Sequence, residues 1–213
     1  TLQQSSAASD VYKRQGRDII LIGHKGHPEV IGTLGRHPSN SNTKIYLVEN
    51  NDDIKKLEIS SPEVAYVTQT TLSVDETREL INSLKEKFPG IIGPSADDIC
   101  YATQNRQDAV KQLSLECQIV LVIGSQTSSN SNRLKELAEK CGTKSFLIDD
   151  KTDIDLNSLK DATTVGITAG ASAPEEIVQE VISFLVPLGF KTVRNLSENN
   201  ENMTFKLPKE LTS

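Results

Sequence analysis

Six short apolar runs punctuate the chain, each bounded by polar residues: Asp18–Gly23, Lys44–Val48, Val64–Thr68, Gln118–Gly124, Ser145–Ile148 and Thr163–Thr168. Compact runs of this kind predict buried strands. The segments between and after them carry helical patterns. Ser73-Val74-Asp75-Glu76 is a capping box that opens a helix ending before Pro89. His27 and Glu29 flank Pro28 at a second helix start, where a glutamate suits the helix dipole. Asn132–Cys141 reads as a helix stopped by Gly142. Ser172-Ala173-Pro174-Glu175 opens another, with Ile177, Val178, Val181, Ile182 and Leu185 on one face and Ser172 expected at the N-cap.

The pattern occurs twice. KIYLVENNDDI at Lys44–Ile54 returns one hundred residues later as KSFLIDDKTDI at Lys144–Ile154. Leu21-Ile22-Gly23-His24 matches Val122-Ile123-Gly124-Ser125, and Val67-Thr68 matches Ile167-Thr168. A period this long marks a small domain rather than a solenoid unit. Strands alternating with helices imply parallel sheets covered on both faces. The expected fold class is α/β, with two similar small α/β domains at about 16–96 and 97–188. Residues 189–213 are expected to form a C-terminal tail with one strand-like run, Met203–Leu207. The polar opening TLQQSSAASDVYKRQ lacks periodicity and a signal-peptide core. It reads as a non-native leader over residues 1–15, with folded sequence expected from near Gly16.

Composition narrows the function classes. Of 213 residues, 36% are hydrophobic and 24% charged, with a formal net charge of −6. Such a balance suits a folded mixed protein and argues against nonspecific nucleic-acid binding, which depends on basic side chains. No stretch approaches the roughly 18 apolar residues of a membrane span. The three cysteines, Cys100, Cys117 and Cys141, form neither a disulfide framework nor a zinc-type CxxC. A reducing, cytoplasmic setting is expected.

Ligands of open α/β sheets bind past the carboxyl ends of the strands. Four strand ends here lead into polar loops: Ile22–Val30, Val67–Ser73, Gly124–Arg133 and Ile167–Pro174. Loops entering helices in this way favour an anion, because free N–H groups and the positive dipole end face it. No lysine-bearing phosphate loop is present, so phosphate or diphosphate fits better than a nucleoside triphosphate. His24 is expected to be a strand-end histidine satisfied by backbone. Cys117 and Cys141 fall at helical spacing with apolar residues and are expected in the core. Cys100, in DDICYATQNR, lies at a helix start among polar residues and is a candidate thiolate.

The blocks GHKGHPEV, VTQTTLSVDET, DDICYATQNRQ, GSQTSSNSNRL and TAGASAPEEIV together resemble the 4-hydroxy-3-methylbut-2-enyl diphosphate reductases, the IspH/LytB family. The closing FKLPKEL also looks like that family's C-terminal end. The resemblance implies three similar α/β domains around a central 4Fe–4S cluster held by three cysteines. This chain would supply the second and third domains, truncated at the N-terminus, and would be inactive alone for want of two cluster cysteines. By the same resemblance Cys100 is a cluster ligand. Glu29 delivers protons near the substrate hydroxyl, with Thr70 beside it and the reacting carbon. His27, Ser128, Ser129, Asn130 and Ser172 hold the diphosphate. The implied reaction is reductive dehydroxylation of an allylic diphosphate to isopentenyl and dimethylallyl diphosphate, in the non-mevalonate isoprenoid route. Ferredoxin or flavodoxin would donate the electrons, and a bacterial cytoplasm is the implied location. The alternative is a two-lobed binding module for a phosphorylated small molecule, without redox chemistry.

Overall fold

The structure, a computed structural model, describes residues 4–37, 42–94, 99 and 101–196. Cys100 and the expected strand Met203–Leu207 lie outside the described residues. Two three-stranded parallel sheets form the frame, ordered β2-β1-β3 and β5-β4-β6. In the first, β1 (Asp18–Ile22) lies between β2 (Ile45–Val48) and β3 (Val64–Thr68). In the second, β4 (Ile119–Ile123) lies between β5 (Lys144–Ile148) and β6 (Val165–Ala169). Ile22 pairs with Val48 and Thr68. Ile123 pairs with Ile148 and Ala169, so the repeat is one of topology and register as well as sequence. The expected α/β fold with two similar parallel-sheet units is what the chain adopts.

Each central strand is buried along its whole length. Side chains alternate across the sheet, so one apolar run feeds two cores. Ile20 and Ile22 pack with Val48, Tyr66, Leu80, Ile81 and Leu84 on one face. Ile19 and Leu21 pack with Val30 and Val67 on the other. In the second unit Leu121 and Ile123 meet Ile148, Val181 and Leu185, while Val120 and Val122 meet Val110, Leu134 and Ala138. The helices that cover these faces are α1 (Gln4–Arg14), α2 (Pro28–Gly35), α3 (Asn51–Lys56) and α4 (Val74–Lys87). They are followed by α5 (Tyr101–Glu116), α6 (Ser129–Lys140), α7 (Leu156–Leu159) and α8 (Glu175–Leu185).

Helix α1 corrects the expectation that residues 1–15 stand outside the fold. It packs on β1, β3 and α2. Ala8 and Tyr12 join the core, and Ser6 and Ser9 are buried. Small serine and alanine side chains let a helix approach a sheet closely yet leave no hydropathy signal. Cys141 is corrected too. It forms the C-cap of α6 and is exposed, because the helix ends there and Gly142 turns the chain at φ +84°. Cys117 is partly buried beside the backbone of Gly166, and burial pushes its thiol pKa up.

The strand-to-helix turns are close-packed. A Cβ at Gly23 would stand 2.6 Å from Val30 Cγ2 and 3.2 Å from Gln69. Gly32, within α2, has open space around it. Gly23→Ala is therefore expected to lower the unfolding free energy by about 1–3 kcal/mol through overpacking. Gly32→Ala is expected to raise it by about 0.5–1 kcal/mol through helix propensity. Urea midpoints of the two variants, moving in opposite directions, are the check.

Candidate functional site

Polar strand ends and helix N-termini converge on one side of each sheet. After β1 the chain turns at Gly26, φ +87°, and enters α2 with His27 as N-cap. Proline at the first helical position needs no amide partner there. His27 Nδ1 accepts the Glu29 amide proton at 3.3 Å. Glu29 therefore projects from the first turn of α2 and is buried, with 4% of its surface exposed.

A buried carboxylate requires hydrogen-bond donors. Thr70, just past the end of β3, supplies them. Its amide nitrogen lies 3.2 and 3.1 Å from Glu29 Oε1 and Oε2, and its hydroxyl donates to Oε2 at 3.0 Å. Gln69, fully buried, braces the same turn. Its Oε1 accepts the His24 amide proton, and its Nε2 donates to the Thr71 hydroxyl, both at 3.0 Å. Sequence reasoning marked the loop but not Gln69. A glutamine at a strand end is unremarkable until its two neighbours are known.

The second unit places its polar groups on the first turn of α6. Ser128 is the N-cap and accepts from the Ser131 amide at 3.3 Å and the Ser131 hydroxyl at 3.0 Å. Its own hydroxyl proton can then only point elsewhere. Asn130 is buried at 6% exposure, and among the described residues neither its Oδ1 nor its Nδ2 has a hydrogen-bond partner. An amide left unsatisfied inside a protein costs about 1–3 kcal/mol, so this one is available to water or to a ligand. Ser129 meets the first unit: the Thr71 hydroxyl donates to its Oγ at 3.1 Å.

Ser172 behaves differently from expectation. It is exposed, and the N-cap of α8 is Pro174, two residues on, with no side-chain cap bond. Proline has no amide hydrogen to satisfy, and the helix begins after it. Among the described residues Ser172 has no hydrogen-bond partner. The structure brings Glu29 to Thr70, with His27 on the Glu29 amide, and gathers Ser128, Ser129 and Asn130. Among the described residues no hydrogen bond links Ser172 to them, although Gly170, two residues earlier, lies against Ser131.

His24 also departs from expectation. Its ring Nε2 lies 3.0 Å from Arg133 Nη2 on α6, not on backbone. A guanidinium only donates, so Nε2 carries the lone pair and the proton sits on Nδ1. Arg133 further pairs with Glu136 at 2.6 Å and with Glu76 at 3.8 Å. Lys140 also pairs with Glu76. The Glu76 carboxylate thus serves a bridge between the units, while Ser73 still caps α4 through the Glu76 amide.

The profile of the LytB protein family matches residues 2–186. The chain belongs to the LytB family. Its LytB relatives include the 4-hydroxy-3-methylbut-2-enyl diphosphate reductase of Saccharophagus degradans, 55% identical over 201 residues. That match covers 94% of this chain and 65% of the relative. The namesake from Azotobacter vinelandii is 53% identical, with 94% and 64% covered. Among solved structures, the E-1-hydroxy-2-methyl-but-2-enyl-4-diphosphate reductase of Plasmodium falciparum superposes with a TM-score of 0.87 at 34% identity. It covers 98% of this chain and 66% of its own. A second reductase structure, of the terminal enzyme of the non-mevalonate pathway, gives 0.54 at 30% identity, with 87% and 65% covered. The chain thus spans slightly under two thirds of the length of these LytB proteins. The match from residue 2 agrees with the packing of α1.

The described residues of this LytB chain do not fit a four-iron cluster. None of them forms a group of three or more His, Cys, Asp or Glu able to hold a metal. Cys117 packs against Leu113 and Gly166, and Cys141 lies at the far end of α6 from the site. Cys100 alone does not make a cluster site, which takes thiolates at most of its irons. No helix among the described residues is long and apolar enough to cross a membrane.

Burial of the His27 ring is the main cause holding its pKa below the usual 6.5, against an opposing pull from Glu29; His24 lowers it further. The ring is therefore neutral in the folded protein, which its Nδ1 acceptor role also requires. The unfolded chain binds that proton more readily. Stability from His27 is then fully present above about pH 6.5 and lost as pH falls through the lowered native value. Melting temperatures at pH 7.5 and 5.5 are expected to differ more for the wild type than for His27→Asn. Asparagine keeps the cap without titrating.

Proposed function

We propose that this chain forms the diphosphate-holding and proton-delivering part of a 4-hydroxy-3-methylbut-2-enyl diphosphate reductase. The observation that carries the proposal is the pairing of two unlike polar centres at equivalent strand ends. One is a buried carboxylate held by a threonine; the other is a buried amide with both atoms unpartnered among the described residues. The relatives' shared activity then supplies the substrate, an allylic diphosphate. The proposal takes the two units as domains at about 16–96 and 97–188, in a bacterial cytoplasm.

Ser128, Ser129 and Asn130 would donate to the diphosphate oxygens from the start of α6, where the helix dipole favours negative charge. His27 would donate from Nε2, since its Nδ1 is committed to the Glu29 amide. Ser172 would join from its exposed loop once ligand fills the cleft. Glu29 would hold the proton that converts the leaving hydroxyl to water, its carboxyl oriented by the Thr70 amide and hydroxyl. The substrate loses its hydroxyl as water and gains two electrons and a proton at carbon. In the family resemblance Cys100 would be one ligand of a 4Fe–4S cluster, and such a cluster would provide the electrons, with ferredoxin or flavodoxin as donor. The residues described here account for binding and protonation, not for the electron path.

Two measurements test this reading. Calorimetric titration with inorganic pyrophosphate should show binding, and Asn130→Ala should weaken it about tenfold. Failure of the wild-type chain to bind pyrophosphate would remove the diphosphate reading. In reductase reconstituted with its cluster, Glu29→Gln should hold affinity within about threefold, because Thr70 can still donate to the amide oxygen. Turnover should fall about a hundredfold, the scale of a lost general acid. Normal turnover by that variant would take the proton role away from Glu29.

A further inference from the structure

Gln107 lies in the middle of α5, a helix that packs on β6 and α6 of the second unit. Only 1% of its surface is exposed. Its amide reaches out of that unit to the backbone of the first. Oε1 accepts the Val74 amide proton at 2.9 Å, and Nε2 donates to the Leu72 carbonyl at 2.8 Å. One side chain thus grips the loop on both sides of Ser73. That loop is the one that carries Thr70 and Thr71, two residues and one residue before Leu72.

The preceding residue makes the matching contact within the second unit. Arg106 Nε donates to the carbonyl of Ala169, the last residue of β6, at 3.1 Å. Its Nη1 is held by the Ala102 carbonyl at 3.0 Å. Consecutive residues of α5 therefore hold one strand-end loop from each unit. A buried amide satisfied at both atoms acts as a spacer of fixed length, because moving either partner strands a donor or an acceptor.

We propose that Gln107 is a positioning residue, resting on the cleft reading above, that fixes the Thr70–Ser73 loop against the second unit. By doing so it keeps Thr70 on Glu29 and Thr71 on Ser129. Thr70 stands too close to Leu72 in the chain to stay in place when that carbonyl is released. The backbone of the proton-bearing site is then set by the other unit, through a residue that touches no substrate.

The test is residue-resolved amide exchange on the ligand-free chain. In Gln107→Met the Val74 and Thr70 amides should both exchange at least about tenfold faster. Ile20 and Leu121, at the strand centres, should keep their protection. Faster exchange at Val74 with Thr70 unchanged would make Gln107 a local cap and overturn the proposal. If Gln107→Met loses strand-centre protection, Gln107→Glu carries the same comparison. It matches the side chain in size, keeps an acceptor for Val74 and loses the donor to Leu72. Thr70 loosened relative to the strands supports the proposal, and Thr70 unchanged overturns it. Pyrophosphate affinity should fall about tenfold in the same folded variant, and equal affinity in both proteins overturns the proposal as well. A wild-type chain that binds no pyrophosphate removes the diphosphate reading, yet the Thr70 exchange still decides the role of Gln107.

Discussion

A carboxylate inside a protein is tolerated only where donors replace the water it has lost. Glu29 meets that condition through Thr70, and the arrangement around them follows from keeping the two together. Proline at the start of α2 and the His27 cap place Glu29 on the first turn. Gly23 lets α2 come down onto the end of β1, since any larger residue would strike Val30. Gln69 fixes the turn after β3, so the Thr70 amide points at the carboxyl oxygens rather than at solvent. Each is a backbone or capping device, and together they direct one side chain to one place.

The second unit uses the same devices for a different end. Gly23 and Gly124 occupy equivalent positions, and their amides donate to the equivalent carbonyls of Val48 and Ile148. Gln69 and Gly170 likewise donate to Ile22 and Ile123, both at 2.8 Å. Asp53 and Asp153 accept from Glu49 and Asp149 in matching turns. The side chains diverge on the first turns of the helices that follow β1 and β4. Glu29 corresponds to Asn130, and Val30 to Ser131. Where the first unit has an acid satisfied by threonine, the second has an amide with no partner among the described residues. The repeat thus keeps these backbone bonds while its side chains vary.

Much of this was legible in the residues. The six strands, the repeat and the Ser73 cap follow from local patterns that tertiary contacts reinforce. The candidate residues were found through blocks of sequence, since no spacing rule places Glu29 beside Thr70 across 41 residues. What could not be read falls into two kinds. Helix α1 presents serine and alanine to the sheet, and burial of small polar side chains has no periodic hydrophobic signature. The exposed Cys141 belongs here as well: helical spacing gave its face but not that the helix stops beneath it. The second kind is long-range polar contact. His24 with Arg133, Thr71 with Ser129 and Gln107 with Leu72 and Val74 all join the two units. Polar partners carry no sequence mark of each other.

Those contacts between units differ in what they can transmit. The ion pairs of Glu76 with Arg133 and Lys140 sit at side chains with roughly half of the carboxylate exposed, where water and salt weaken them. They steer the approach of α4 and α6 but tolerate adjustment. Gln107 is buried and bonds to backbone, so its geometry has little freedom. Thr71 on Ser129 is intermediate, a single, partly buried hydroxyl contact. The buried contact is therefore rigid and the exposed ones more yielding. The division follows from burial: the contact shielded from water holds the two units in fixed register, and those exposed to it leave room for adjustment.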